Sequence, residues 1–386
     1  MVRLIFLTDF TEAFPNHLLE GILRYAKEVS HNPWVVCRMP PSYKDEYGIA
    51  GVLAWAKKWG ADAIIGRFDN DEDVSCFAKN NIVALAQDFK QRFLEIPNIT
   101  SNYFATGEIA ARFFLSKGFT RFAFYGYKDT IWSDERCEGF YCAVKAAGYG
   151  NNFMEYKRQR LEDLWFYEST PLVEWLKNLP PHTALFCCDD NQGNKITEVC
   201  NFSGIKIPQD IAVMGVDNDV TTCNLSDPTL SSVNLNIEKA GYETASLILR
   251  LIRHDPDAPR NVIIQPRGII NRMSTNIYAT DDPIVLKAME FIHQHLSNPL
   301  CVNDVLRTLP LSRRLLEIRF KKITGQSVYN YIVTCRMELF ARMLQESDRP
   351  ISELSLEIGM SNYGNLARQF KAFKGCTPSE YRQKHK

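Results

Sequence analysis

Two stretches near the C-terminus share one plan, and that repetition constrains the fold more than any other feature of the chain. Residues 302–321 read VNDVLRTLPLSRRLLEIRFK, and residues 351–371 read ISELSLEIGMSNYGNLARQFK. Each has helical apolar spacing, a short turn, a serine and a second helix ending in Phe-Lys. Ser312 suits the N-cap of a helix over 313–321, because its hydroxyl can accept one of the unpaired N–H groups of the first turn. Gly359 opens the second turn, where a positive φ is expected. Ser312 and Ser361 stand 49 residues apart, a duplication at the scale of a helix-turn-helix unit. A long helical pattern over 329–345 lies between them and predicts a rod that holds the two units at a fixed distance.

The charge distribution says what such a pair could face. The chain of 386 residues is neutral overall, with 45 Lys and Arg against 45 Asp and Glu. Residues 283–386 hold 16 basic and 9 acidic side chains, which leaves 29 basic and 36 acidic for the first 282. A basic tail behind an acidic body suits a polyanion bound by the tail alone. Two recognition helices roughly 34 Å apart would enter successive turns of one major groove. Leu316, Phe320, Leu366 and Phe370 are expected to face inward. That leaves Arg313, Arg314 and Glu317 outward on the first helix, and Tyr363, Gly364, Asn365 and Arg368 on the second. Arg matches guanine, Asn adenine and Glu cytosine, while Lys321, Lys322, Lys371 and Lys374 suit phosphates. The plainer reading, a solvated face of an ordinary helical domain, would serve for one unit but is weakened by two in register.

Residues 1–270 follow a different rule. Short apolar runs at 2–8, 34–37, 63–65, 83–86, 122–125, 184–187, 211–216 and 261–265 alternate with helical patterns at 17–30, 48–59, 106–117 and 237–252. Repeated βα units imply parallel sheets with helices on both faces, and the length allows two of them. Ligands bind such sheets outside the carboxyl ends of the strands. The polar residues to watch are therefore Asp9, Asp88, Asp189, Asp190, Asp217 and Asn218. The polar stretch 271–283, NRMSTNIYATDDP, reads as a linker, with the helical domain at 284–386. No apolar run approaches the roughly 18 residues of a membrane helix, and the N-terminal patch is short for a signal peptide. The eleven cysteines are scattered and form no C-x-x-C pair. Buried thiols in the cytoplasm are the expectation, with no metal site and no cofactor.

The tail resembles the AraC/XylS family of DNA-binding domains. The similarity spans about 283–383 and is strongest in GMSNYGNLARQFKAFKGCTPSEYR, with FKKITGQS in the first unit. Leu306 stands where that family has a small residue, Pro310 where it has a turn glycine, and Ile318 where a basic residue is common. The body resembles the LacI/GalR-type effector domain, itself related to periplasmic sugar-binding proteins. SDERCEGF, ALFCCDDNQGNKI, IPQDIAVMGVDND and SDPTLSSVNLN carry that similarity, with Asp189 where Asn is usual. An effector body ahead of an AraC-type tail is the order of XylR-like regulators, which RFAFYG, TEVC and GVDND also resemble.

The resemblance implies a two-lobed α/β domain followed by an all-α double helix-turn-helix domain. It implies a regulator of carbohydrate genes, switched by xylose or another monosaccharide, with Arg136 as the ligand-contacting arginine. Chemically, Asp9, Arg136, Asp189, Asp190 and Asp217 supply hydroxyl acceptors and a donor, and Phe14, Trp132 or Trp165 an aromatic cover for C–H surface. The expected partners are a double-stranded DNA operator, a sugar, a second copy of the chain and, for an activator, RNA polymerase; a membrane is not among them. One alternative is a carbohydrate-active enzyme using Asp189 and Asp190, but adjacent residues rarely aim at one reaction centre, and no G-x-S-x-G or Walker sequence is present. The other is a sugar-binding module whose tail contacts protein.

Overall fold

The computed structural model describes residues 1–386 except 11–12, 30–32, 70, 89, 159–168, 278–281, 348, 361–362 and 386. It divides into a body, Met1–Asn276, and a tail, Ile277–Lys386.

The βα alternation of the body builds two six-stranded sheets. The chain lays down β1 (Val2–Leu7), β2 (Trp34–Met39), β3 (Ala63–Gly66), β4 (Val83–Gln87) and β5 (Asn98–Ser101) in the first. It continues with β6 (Arg121–Tyr127), β7 (Phe153–Arg158), β8 (Thr183–Cys187), β9 (Ile211–Val216) and β10 (Ser231–Leu235) in the second. β11 (Val262–Ile264) returns to the first sheet and β12 (Pro266–Ile270) ends on the second. The orders are β11-β5-β4-β3-β1-β2 and β12-β10-β9-β8-β6-β7. Every pairing is parallel except β10 with β12. Helices cover both faces, so central strands are apolar throughout: all four residues of β3 and all six of β9 are buried.

The helices of the body are α1 (Ala13–Glu28), α2 (Pro41–Trp59), α3 (Ser75–Ala78), α4 (Tyr103–Ser116), α5 (Ile131–Ala146), α6 (Ser169–Asn178), α7 (Asp190–Ser203), α8 (Val220–Leu225) and α9 (Ile237–Ile252). α4 packs on α5 and the second sheet, and α9 on α1 and the first. The α4–α5 crossing is close because Gly107 and Gly139 sit in it: a Cβ on either would lie 2.1 Å from the Arg136 carbonyl or 2.0 Å from that of Phe104. The chain passes between the sheets after β5, after β10 and after β11, and the three passages touch. The Asn102 N–H donates to the Ile264 carbonyl (2.9 Å), its Nδ2 to Gln265 Oε1 (3.2 Å), and the Asn236 N–H to the Gln265 carbonyl (3.4 Å).

The tail contains α10 (Pro283–Gln294), α11 (Val302–Arg307), α12 (Arg313–Thr324), α13 (Val328–Glu346), α14 (Ile351–Glu357), α15 (Tyr363–Lys374) and α16 (Pro378–His385). Asp282 caps α10 and is followed by a proline at its first position, which loses no hydrogen bond there. α13 is the expected rod. Its first half closes a core with Val285, Ile292, Val305, Leu316 and Phe320, and its second half closes another with Leu354, Ile358, Leu366 and Phe370.

Three boundaries differ from expectation. The helix expected from Gly48 begins at Pro41 and kinks at Gly48, which has φ +64°. The linker expected at 271–283 is shorter: Arg272, Ser274 and Thr275 are buried against β9 and β10, because the Ser274 hydroxyl bonds the backbone of both strands and the Thr275 hydroxyl meets that of Ser231. The repeat runs at 50 residues among the described residues, from Leu316 to Leu366 and Phe320 to Phe370. It continues from Gly325 to Gly375, at φ +74° and +76°. Ser361 lies outside the described residues.

Candidate functional site

The carboxyl ends of the body's strands gather polar side chains on both sides of the three passages. On the side of the second sheet, Arg136 on α5 is almost fully buried. Its guanidinium donates to the Cys188 carbonyl at the end of β8 and to Asp217 Oδ1 (3.3 Å) at the end of β9. It also lies over the rings of Trp132 (5.4 Å) and Tyr103 (5.3 Å), where a cation is favoured. Among the described residues its Nε–H has no hydrogen-bond partner. Asp217 keeps 22% of its side chain exposed. Asp217 and Asn218 both have positive φ, +99° and +53°, a conformation that needs outside support in non-glycine residues.

Asp189 caps α7, accepting the Gln192 N–H (2.7 Å). Asp190 is buried; its Oδ2 accepts the Asp219 N–H (2.8 Å), so it holds the turn that carries Asp217. Burial and the nearby Asp217 push the Asp190 carboxyl well above the usual range. Asp9 follows the carboxyl end of β1 and Phe14 lies in the first turn of α1; both are half-buried. Trp165 lies outside the described residues.

Residues that sequence reasoning left unassigned join the two sides. Asp88, at the end of β4, accepts the Tyr103 hydroxyl (2.7 Å) and the Thr100 hydroxyl (2.5 Å). Burial raises its pKa from 3.8 to about 6, against the lowering effect of those two bonds and of Arg92. Arg92, from the β4–β5 loop, makes a bidentate pair with Glu135 of α5 (2.6 and 2.8 Å). Asp88 was visible as a polar residue after a strand; its partners had no such mark.

In the tail, α12 and α15 carry the predicted recognition faces. Ser312 caps α12 through the Leu315 N–H (3.4 Å). Leu316, Phe320, Leu366 and Phe370 are fully buried, as the spacing required. Arg313, Arg314, Lys321, Lys322, Gly364, Asn365, Arg368, Lys371 and Lys374 are exposed; the side chain of Tyr363 lies outside the described ones. Glu317 departs from expectation. It is half-buried and its Oε2 accepts the Val328 N–H (3.2 Å), capping α13, because the helix axis turns its carboxylate toward that unpaired terminus. Exposed Leu315 and Ile318 occupy the outer face beside the arginines.

Residues 111–275 match the family described as a periplasmic binding protein-like domain, and residues 305–384 match a helix-turn-helix domain. The chain is 27% identical over 387 residues to the xylose operon regulatory protein of Escherichia coli K12, covering 98% of this chain and 96% of that one. It is 29% identical over 328 residues to the protein of the same name from Haemophilus influenzae, covering 83% and 84%. Its fold matches the solved xylose-binding transcription activator xylR with a TM-score of 0.64 at 27% identity, over 99% of this chain and 97% of that one. The chain is a transcription regulator, similar over nearly its whole length to these xylose operon regulators. In this regulator a periplasmic-binding-protein-like domain precedes an AraC-type helix-turn-helix domain. Among the described residues no cluster of His, Cys, Asp and Glu could hold a metal ion, and no helix is long and apolar enough to cross a membrane.

Proposed function

We propose that the body takes a monosaccharide between its two sheets and that the occupied body changes the affinity of the tail for double-stranded DNA. One observation carries the reading: a single chain joins an Arg136–Asp217 pair flanked by aromatic rings at strand ends with two helix-turn-helix units of basic outer face. A carboxylate accepts sugar hydroxyls, a guanidinium donates to sugar oxygens, and an aromatic face covers C–H surface. The proposed sugar contacts are Asp9, Phe14, Trp165, Arg136, Asp189 and Asp217, with Asp190 supporting the last. The proposed DNA contacts are Arg313, Arg314, Lys321, Tyr363, Gly364, Asn365, Arg368 and Lys371. The relatives are named for xylose, so D-xylose is the effector to test first. The role is binding and not turnover, and the working unit in the cytoplasm is a homodimer that engages RNA polymerase where it activates. Switching requires only that the sugar prefer one of two conformations of the body.

Isothermal titration calorimetry with a panel of pentoses and hexoses tests the sugar site. D-xylose is expected to bind, and Arg136→Ala and Asp217→Ala to weaken it at least tenfold while DNA affinity without sugar stays put. A wild-type protein that binds no sugar overturns the effector reading, and unchanged binding in both variants removes these two residues from the site.

A further inference from the structure

The turn that carries Asp217 has a further attachment besides Arg136 and Asp190. Its next residue, Asn218, accepts through Oδ1 a hydrogen bond from Arg272 (2.7 Å). Arg272 is buried and also donates to the Leu230 carbonyl (2.9 Å), and its own N–H donates to Ser231 Oγ (2.7 Å). It therefore ties together the ends of β9 and β10. Arg272 begins the short segment by which the chain leaves the body. Ser274 Oγ donates to the Val213 carbonyl (2.6 Å) and Thr275 Oγ1 meets Ser231 Oγ (2.7 Å). The Thr275 carbonyl accepts Lys117 Nζ (2.8 Å). After Asn276 the chain belongs to the tail.

Two consecutive non-glycine residues of positive φ do not hold themselves. Here they are held by backbone bonds to Val233 (3.0 Å) and Ser232 Oγ (2.9 Å), and by the Asn218–Arg272 side-chain bond. Any rearrangement of Asp217 against Arg136 bears on Asn218 through the same two-residue turn. Asn218 in turn bears on the first residue of the exit segment.

We propose that Arg272 is the positioning residue that couples the effector site to the DNA-binding tail, acting through Asn218. This rests on the reading of Arg136 and Asp217 as effector contacts. Arg272 itself does not touch the sugar. Its guanidinium fork serves two acceptors at once, the Leu230 carbonyl and Asn218, which a lysine ammonium cannot do in the same geometry.

The test uses the full-length protein, D-xylose, and a DNA duplex selected by that protein from a random-sequence library. Operator affinity is measured by fluorescence anisotropy with and without saturating D-xylose, and D-xylose affinity by calorimetry. Asn218→Gly removes the acceptor and keeps a residue at ease with positive φ; Arg272→Lys keeps the charge and loses the fork. Both are expected to bind D-xylose and sugar-free operator within about threefold of wild type, while the sugar-induced change in operator affinity collapses toward one. By linkage, the operator's effect on D-xylose affinity falls by the same factor. Asn218→Asp, which keeps the acceptor, is expected to restore the response. Folded variants with wild-type coupling overturn the assignment. So do folded variants that lose D-xylose itself, since Arg272 would then belong to the binding site. Failure of the underlying reading is seen separately, as a wild-type protein that binds no sugar, and it takes the Arg272 assignment with it.

Discussion

Asp88 is a carboxyl group removed from water and supported by two hydroxyls, with the Arg92 guanidinium at 3.5 Å. Desolvation outweighs these partners and its pKa is pushed up to about 6 from 3.8. A carboxyl whose folded pKa is raised keeps its proton in the folded state while the unfolded chain releases it. The contribution of Asp88 to stability is therefore greatest below about pH 4 and is lost as pH rises through about 6, by about 3 kcal/mol at 1.36 kcal/mol for each pKa unit. Asp88→Asn removes this dependence. The stability of the Asn variant relative to wild type, from urea denaturation, is expected to rise by up to about 3 kcal/mol between pH 4 and pH 7. A difference that stays flat across that window would mean that Asp88 is ionised in the folded protein.

The two helix-turn-helix elements share one frame and differ in what they display. The 50-residue register aligns Leu315 with Asn365, Glu317 with Ala367 and Ile318 with Arg368. α15 thus presents an amide and a guanidinium where α12 presents two apolar side chains, with Arg313 and Arg314 beside them. Arg368→Ala is expected to cost about 1–3 kcal/mol in operator binding and to relax base preference at one position. Glu317→Gln should leave DNA affinity within about threefold. It should lower thermal stability by the worth of a weakened helix cap, about 1 kcal/mol. Anisotropy titrations and thermal melts separate the two. A large loss of DNA affinity in Glu317→Gln would return that residue to the recognition face.

At the scale of the molecule, the charge split assigns the polyanion to the tail, which holds 16 basic and 9 acidic side chains over residues 283–386. Among the described residues the two cores of the tail are built from tail residues. A fragment of residues 277–386 is therefore expected to bind DNA, with an affinity that falls steeply as salt rises. Lys371→Ala should reduce the salt slope by about one. The same fragment should ignore D-xylose at every concentration, and a fragment that responds to the sugar would contradict the division of labour.

Much of this was legible from local signals. The period of residues 237–252 and the apolar run 211–216 became α9 and β9 with those bounds, and Ser312 is an N-cap as its setting suggested. Such features depend on side chains a few positions apart, so the sequence by itself determined them, together with the basic tail and the two inward-facing Leu/Phe pairs. Other features were decided only by tertiary structure. β5 reads as a polar tetrapeptide, yet Asn98 is buried because its amide bonds the backbone of Phe93 and Ile96 and reaches Asn261. Glu317 serves a neighbouring helix, and Arg92, Glu135 and Arg272 find partners 43 and 54 residues away. A polar side chain takes its role from whichever unpaired group the fold brings within 3 Å or so, and no pattern along the chain records that meeting.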